Sequence, residues 1–584
     1  MRKVAAILLL GTLSLTAMAA EPGKDWIARS NAYTQKLLDI DVKYAPEEGS
    51  SEGLAKLDKQ IRDPRLSTDL TERKELKAAL AKIKADSARD KDLRVQQDLA
   101  ILDKAFGLRF RKEDFALAHE VPYLDASAEV FRGIHVLLDD RVAAERRSAA
   151  LTRLRRYAGL ETNYRPYAEL LKERTLAQMA KPDVSYPAKS QVEAALSRDA
   201  HSVSDIADLF RKYGIKDWEQ PYAELQKQLA DYDEWVRRTI LPNARTDFRL
   251  PAEKYALESE TYGTDIPPAR IAEMAHKAFI EIQGQMQVVA AQLAKERGYA
   301  NPDYRAVIKE LKKQQIAGDA LLPFYENRLH AIEAIIRERN LITLPDRPVT
   351  IRLATADESM GMPAAHMMPP ASLFKTEHPD EYVLPLDSPA RDGGEAGKYD
   401  IYVSDAVAWA LTAHEVRPGH ELQFASMVER GLSLVRTLYA FNVTDAEGWG
   451  LYSEHILQPY EPADGQLLTL DLQLLRAAQA FLDPDLQSGK ITPDQASRML
   501  EDDLVLSHAL AEEQVERFTF GSPGRANGAF YGYIRMLSLR RESEAALGAK
   551  FDQKKFHDFI LAQGLLPPDL LRAAVLKDFL PVQK

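Results

Sequence analysis

Cysteine is absent from all 584 residues of the chain. Without a thiol, the protein can form no disulfide, no iron–sulfur cluster, no thiolate nucleophile and no zinc site with cysteine ligands. The N-terminal segment also lacks the cysteine that a lipobox requires. Any bound metal ion must therefore be held by His, Asp and Glu side chains.

Basic residues and long apolar runs are scarce as well. The 77 Lys and Arg side chains are outnumbered by 88 Asp and Glu side chains, which gives a formal net charge of −11. A nucleic-acid-binding protein is expected to have a basic surface, so this balance argues against nucleic acid as a partner. After residue 16 no apolar run is long enough to span a bilayer, and we expect no stable membrane insertion.

The first 20 residues have the composition of a secretory signal peptide. The basic pair Arg2-Lys3 precedes the apolar stretch 4–16, and the Ala-Met-Ala sequence at 17–19 fits the small-x-small cleavage rule. We expect cleavage near Ala19 or Ala20 and a periplasmic or secreted mature protein. An uncleaved membrane anchor is the alternative, but the apolar stretch is short for a spanning helix.

The rest of the chain is mainly helical, with one exception. Apolar residues make up 45% of the sequence, which is ample for a core. Residues 21–345 show apolar residues three and four apart and are predicted to form an N-terminal helical region. Between 348 and 404, VTIRLATA, EYVLPL and KYDIYVS are typical of short strands, separated by Pro and Gly. We predict a mainly α fold in which a small antiparallel sheet precedes helices, with 346–584 as the catalytic region.

The sequence HEVRPGH, at residues 414–420, contains two histidines six residues apart. In a regular helix a six-residue step separates two side chains by roughly 120°, which is wrong for a shared metal ion. Pro418 cannot donate the helical hydrogen bond, and Gly419 permits unusual backbone angles. We predict one helix from Ala406 to Gly431 with a bulge that returns His420 to the face of His414.

A third metal ligand is available in TDAEGWGLYSEHIL, where Glu447 follows His420 by 27 residues. Two histidines and one carboxylate hold zinc and leave a position open for water. Glu415 is then the predicted general base that takes a proton from this water. Glu454 and His455 are expected to form hydrogen bonds with the metal-binding side chains and so to orient them.

Three alternatives remain open from these residues. HEVRPGH could be a kinked helix without a metal ion, as we infer for the similar His119-Glu120 pair, which has no second histidine nearby. Two histidines and a carboxylate also hold iron(II) in oxidative enzymes. A periplasmic peptide-binding protein that lost turnover on a metallopeptidase scaffold is the third alternative.

HEVRPGHELQ and EGWGLYSE resemble two elements of the bacterial domain of unknown function 885 family. A third element of that family corresponds here to EEQVERFTFGSPGRANGAFYGYIRM, and PPARIAEMAHKAFIEIQGQM is similar to its middle helix. The resemblance extends from about Ala252 to the end of the chain. The family in turn resembles the gluzincin metallopeptidases, such as thermolysin and carboxypeptidase Taq.

This resemblance implies a large helical body with a deep cleft, one wall of which is the N-terminal region. It implies one Zn²⁺ per chain, held by His414, His420 and Glu447, with Glu415 as the base. The strand KYDIYVS, which carries Tyr402, would pair with the backbone of a short peptide substrate.

The resemblance also implies a tyrosine that donates a hydrogen bond to the oxyanion. Tyr531 is the preferred candidate and Tyr533 the second, and packing in a core is an alternative for both. The family's P-G-Q-A reads P-G-R-A here, with Arg525 in place of Gln. Arg525, Tyr533 and Tyr402 are the predicted substrate contacts. The sequence therefore predicts an exported zinc metallopeptidase that hydrolyses short peptides or peptide-like amides.

Overall fold

The chain divides into two compact units, both built mainly from helices. The computed structural model describes residues 25–316, 318–355, 358–359, 365–368, 381–385 and 404–583. The first unit comprises the described residues up to Phe248 together with Ser433–Tyr439, and the second comprises Arg249–Leu432 and Ala440–Lys584. The predicted signal peptide lies outside the described residues, as does the strand KYDIYVS with Tyr402, apart from Ser404.

The helices of the first unit are α1 Asp25–Tyr44, α2 Pro46–Ser51, α3 Leu66–Ser87, α4 Leu93–His119, α5 Ala126–His135, α6 Ala144–Arg147, α7 Ala149–Tyr157, α8 Tyr167–Met179, α9 Lys189–Lys212, α10 Glu219–Thr239 and α17 Leu434–Leu438. Their burial follows the helical period. On α9 the buried residues include Val192, Ala195, Leu196, Val203 and Ile206, so that one face packs into the core.

A buried ion pair explains why the short helix α17 belongs to the first unit. The guanidinium of Arg436 on α17 donates to the carboxylate of Asp98 on α4, with an Nε–Oδ1 distance of 2.8 Å, and both side chains are buried. Removing one partner of such a pair leaves an uncompensated buried charge, which costs about 3–5 kcal/mol. The pair therefore holds α17 against helices that are more than 300 residues away in the sequence.

The helices of the second unit are α11 Ala252–Thr261, α12 Pro268–Arg297, α13 Tyr304–Leu311, α14 Leu321–Glu338, α15 Val407–Glu415, α16 His420–Arg430, α18 Val443–Leu457, α19 Ala463–Gln487, α20 Pro493–Asp503, α21 His508–Glu516, α22 Ala526–Leu547, α23 Gln553–Ala562, α24 Pro568–Ala574 and α25 Leu580–Gln583. The predicted region boundary near residue 345 lies within this unit. Among the described residues no helix is both long and apolar enough to cross a bilayer.

Helix α19 is the centre of the second unit, because almost every residue on all of its faces is buried. A helix that is apolar on all sides is stable only when other helices surround it. One of its buried polar residues, Asp483, accepts hydrogen bonds from the Tyr255 hydroxyl (2.9 Å) and from the Gly524 amide (2.8 Å). Asp483 thereby fixes the P-G-R-A segment at the start of α22.

The small sheet has three strands in the order β1-β3-β2, and it is mixed rather than antiparallel as predicted. Strand β1 (Thr350–Leu353) pairs in parallel with β3 (Glu381–Leu384), and β2 (His366–Met368) pairs antiparallel with β3. Strand β2 lies between the segments that were predicted as strands. Strand β3, whose residues 382–384 are buried, takes the central position and separates two strands that are neighbours in sequence.

Candidate metal site

The two histidines of HEVRPGH lie on two separate helices. Helix α15 ends at Glu415 and α16 begins at His420, so the predicted single bulged helix is wrong. The backbone leaves the helical region at Val416 (φ −111°, ψ −95°), and Pro418 cannot supply a helical N–H. The Arg417–Pro418 peptide bond is cis. The sharp turn nevertheless brings His420 back to His414, as the spacing argument required.

Gly419 lets this turn close against the end of α15. A Cβ at Gly419 would overlap the backbone carbonyl oxygens of Ala413 and His414. The carbonyl oxygen of Pro418 accepts a hydrogen bond from the indole of Trp449, with an Nε1–O distance of 2.9 Å. The turn is therefore held by a close backbone contact on one side and by α18 on the other.

Three predicted metal ligands converge at this turn. One ligand atom from each of His414, His420 and Glu447 can be chosen such that all three atoms lie within 4.8 Å of one another. The Nε2 atom of His414 is 3.5 Å from Oε2 of Glu447, and the imidazole rings are nearly perpendicular, with centroids 4.8 Å apart. In the part of the chain that the structure describes, no other group of three His, Asp or Glu side chains is arranged in this way.

Glu454 orients the His414 ring through a hydrogen bond at Nδ1. Its Oε1 atom is 2.7 Å from Nδ1 of His414, and the Glu454 side chain is 2% exposed. The ring also packs on the backbone of α18, since a Cβ at Gly450 would come within 2.6 Å of Nε2. With Nδ1 engaged by a carboxylate, Nε2 is the ring nitrogen that faces Glu447 and is free to bind a metal ion.

The ionisation of the cluster reflects its burial and its two carboxylates. Burial opposes a charge on His414, but the hydrogen bonds with Glu447 and Glu454 outweigh it and raise the pKa of His414 to about 10. Burial and the charge of His414 lower the pKa of His420. Burial acts to raise the pKa of Glu447, but the bond with His414 and the nearby Arg476 prevail and hold that pKa below its usual range. The carboxylates of Glu447 and Glu454 thus favour a positive charge at the His414 ring, which a proton or a metal ion on Nε2 supplies.

The donor set fits a divalent metal ion such as zinc. Two imidazoles and one carboxylate are ligands that zinc accepts at catalytic sites. In addition, the Nδ1 atom of His420 is buried and has no hydrogen-bond partner. An orphaned polar atom in a buried site calls for an explanation, and a bound ion with its water shell supplies one.

Glu415 has a partner that the sequence analysis missed. Its Oε2 atom accepts a hydrogen bond from the backbone N–H of Met367, at 2.9 Å. Met367 lies on β2, an edge strand of the described sheet, between the segments predicted as strands. The three-residue strand is followed directly by Pro369-Pro370, and no local pattern in the sequence could have identified it.

A buried charge network holds the turn between α15 and α16. Arg417 is 2% exposed and donates from Nε to Glu421 (2.9 Å) and from Nη2 to the carbonyl oxygen of Arg347 (2.8 Å). It also donates to Glu333 on α14. The sequence analysis missed the role of Arg417, because its position directly before Pro418 is the only local feature that sets it apart from other arginines.

The remaining predicted residues that the structure describes contact other side chains. The hydroxyl of Tyr531 donates to Asp265, and the hydroxyl of Tyr533 is 3.1 Å from Nδ1 of His455. The guanidinium of Arg525 lies over the ring of Tyr262, 5.8 Å from its centroid. Their roles in substrate binding and catalysis stay predictions, as does that of Tyr402 outside the described residues.

The comparison histidine of the first unit, His119, is the last residue of α4. It is exposed, and its ring packs on Phe115 with a centroid distance of 4.9 Å. Among the described residues it belongs to no group of three metal-ligating side chains, and its structural role stays a prediction.

A family model described as "Bacterial protein of unknown function (DUF885)" matches residues 46–575. The chain belongs to this family. The match includes the first unit, so the likeness extends beyond the segments that carry the motifs. No curated protein matches this DUF885 chain.

Two solved structures share the fold of this DUF885 protein. A candidate lipoprotein of unknown function from Shewanella oneidensis has a TM-score of 0.79 at 19% identity, covering 94% of this chain and 100% of the other. A candidate lipoprotein from Colwellia psychrerythraea has a TM-score of 0.68 at 19% identity, covering 96% and 98%. At this identity, the likeness establishes the fold alone.

Proposed function

We propose that this DUF885 protein is a zinc-dependent metallopeptidase that hydrolyses short peptides or peptide-like amides. The observation that carries the proposal is the convergence of His414, His420 and Glu447 across the break between α15 and α16. These residues come from three separate helices, and their chemistry matches the donor set of catalytic zinc sites. The proposal includes the gluzincin-like relation that the motif order implies.

The three ligands would hold the ion, and Glu454 would fix the tautomer of His414. A zinc ion in such a donor set lowers the pKa of a bound water towards neutrality and polarises an amide carbonyl. The lowered pKa of Glu447 keeps its carboxylate ionised. Its side chain is 27% exposed, so that one side of the cluster is open to solvent. A substrate amide would approach from that side.

Glu415 is the proposed general base. Its Oε2 atom is held by the Met367 amide, which leaves Oε1 to accept the proton of the attacking water. The same bond connects the proposed catalytic carboxylate to β2, which among the described residues pairs with a strand only on its β3 side. We infer from this geometry that β2 takes part in substrate binding.

An exported location is part of the proposal. It is supported by the composition of the first 20 residues and by the descriptions of the two fold relatives as candidate lipoproteins. A peptidase outside the cytoplasm would act on peptides that enter from outside or are released from the envelope.

The test combines metal analysis with peptide digestion. We expect about one zinc per chain in the wild type and in Glu415→Gln, and none in His420→Ala. Glu415→Gln should lower kcat by about 100- to 10,000-fold because the proton acceptor is lost. His119→Ala and Glu120→Gln, in the other His-Glu pair, are matched controls and should change neither zinc content nor rate.

Other outcomes would decide against the proposal. Bound iron with oxygen-dependent turnover would favour an oxidative enzyme. Bound zinc with peptides that stay intact would favour a peptide-binding protein. No metal in the wild type, even after zinc is added, would mean that the turn between α15 and α16 is purely structural.

A further inference from the structure

A small polar cavity lies on a different face of α18 from the metal ligand. Asp445 and Gly448 of α18 line it, together with Arg535 and Leu539 of α22 and Leu571 of α24. The two-residue step from Asp445 to Glu447 turns the helix by about 200°, so these carboxylates point to opposite sides. The cavity volume is about 80 Å³, more than the roughly 10–15 Å³ that one water molecule needs on the same measure.

Asp445 is an unpartnered buried carboxylate at this cavity. The residue is 7% exposed, its Oδ2 atom is fully buried, and its carboxylate has no hydrogen bond or ion pair within the described residues. It does not cap its helix either, because the cap is Asn442, whose Oδ1 accepts from the Asp445 amide at 2.7 Å. A buried carboxylate without a partner is costly, which points to a ligand that supplies one.

Arg535 provides an unpaired positive charge at the same cavity. Its guanidinium lies over the ring of Tyr531 at 5.8 Å, and none of its nitrogens forms an ion pair with a described carboxylate. The other two charged residues that line the cavity satisfy each other: Arg572 donates to both oxygens of Glu542, at 2.9 and 2.6 Å. The cavity therefore presents one carboxyl group and one guanidinium, neither of which has an ion-pair partner among the described residues.

We propose that this cavity binds a free α-amino acid with a small apolar side chain. Its ammonium group would donate to Asp445, its carboxylate would accept from Arg535, and its side chain would contact Leu539 and Leu571. A metal ion suits the cavity less well, since Glu542, the other carboxylate there, already pairs with Arg572. A simple anion would leave Asp445 unpaired. This site does not depend on the proposed peptidase activity.

Binding of L-alanine, measured by calorimetry and by saturation-transfer NMR, tests the proposal. The wild type should bind L-alanine saturably. Loss of either charge of the ligand, in N-acetyl-L-alanine or L-alaninamide, should weaken binding about 10- to 100-fold, the usual effect of one charged hydrogen bond. Asp445→Asn and Arg535→Gln should each weaken binding of L-alanine to a similar extent, while Glu544→Gln, at a carboxylate that pairs with Arg540 and does not line the cavity, should change it little.

Because amino acids also bind metal ions, His420→Ala separates the two sites. Binding that persists in His420→Ala and is lost in Asp445→Asn supports the cavity. Binding lost in His420→Ala and kept in Asp445→Asn places the ligand at the histidines and overturns the proposal. It is equally overturned if the wild type binds no L-alanine, or binds the two neutralised analogues as tightly. The analogue series decides the question even if a variant fails to fold.

Discussion

At the scale of single residues, the candidate metal site depends on a carboxylate that is not itself a ligand. Glu454 is buried, and its Oε1 atom is 2.7 Å from Nδ1 of His414. Burial raises the pKa of Glu454, while the bond with His414 favours the ionised form. The contact with His414 therefore opposes the effect of burial on Glu454, and it determines which nitrogen of His414 faces Glu447.

We predict that Glu454→Gln weakens zinc binding about 10- to 100-fold, because the amide no longer holds the ring in one tautomer or raises its basicity. Competition with a chromophoric chelator would measure the dissociation constant. Glu461→Gln is the control: Glu461 is also buried, with its pKa raised by burial to about 8, and its Oε2 atom accepts from Thr469 at 2.7 Å. Equal zinc affinities in the Glu454 variant and the wild type would contradict the assigned role.

At the scale of elements, the break between α15 and α16 is the feature that creates the site. A continuous helix would place the two histidines about 120° apart. Pro418 ends the hydrogen-bond ladder, Gly419 permits a close approach to the end of α15, and Arg417 anchors the turn to Glu333 and Glu421. The turn is thus stabilised by contacts with several parts of the second unit.

We predict that Gly419→Ala lowers the free energy of unfolding by roughly 1–3 kcal/mol or more, as in other overpacked sites, and removes zinc binding. The added methyl group would overlap the backbone carbonyl of His414, which cannot rotate away as a side chain can. Denaturant titration and zinc analysis would measure both effects. Gly284→Ala on α12 is the matched control, since no heavy atom lies within 4 Å of its added Cβ. Its free energy of unfolding should rise by about 0.5–1 kcal/mol, because alanine is a better helix former than glycine.

At the scale of the whole molecule, a buried histidine connects distant segments of the second unit. The Nδ1 atom of His557 is 2.8 Å from the carbonyl oxygen of Leu341, and its Nε2 atom is 2.8 Å from the hydroxyl of Tyr452 on α18. The carbonyl can only accept, so Nδ1 carries the proton, and the ring is neutral when Nε2 accepts from the Tyr452 hydroxyl. Burial, with a contribution from Arg540, lowers the pKa of His557 to about 4.

We predict that acid destabilises the second unit between pH 6.5 and 4. In this window the unfolded chain, with a histidine pKa near 6.5, takes up a proton that folded His557 excludes, so the free energy of unfolding falls as the pH falls. The loss at pH 4 should be roughly 3 kcal/mol for this group. Denaturant titrations at several pH values should show that the free energy of unfolding depends less on pH in His557→Gln than in the wild type. In the exposed His201→Gln this pH dependence should be unchanged.

The local features of the site could be predicted from the sequence. The identity of His414, His420 and Glu447, the adjacent Glu415 and the need for a break at Pro418-Gly419 follow from side-chain chemistry and from the helical period. The mainly helical class follows from the same period over longer windows. Each of these inferences uses residues that are close together in the chain.

Only the tertiary structure decided the rest. It decided the parallel pairing of β1 with β3, the hydrogen bond from the Met367 amide to Glu415 and the Arg417 network, and it formed the cavity around Asp445. Each of these features joins segments that are tens to hundreds of residues apart in the sequence. Such pairings depend on which buried surfaces fit together, because packing and the satisfaction of buried polar groups are properties of the assembled unit. The sequence by itself determined which side chains could bind a metal ion; the packing of the second unit decided that they meet.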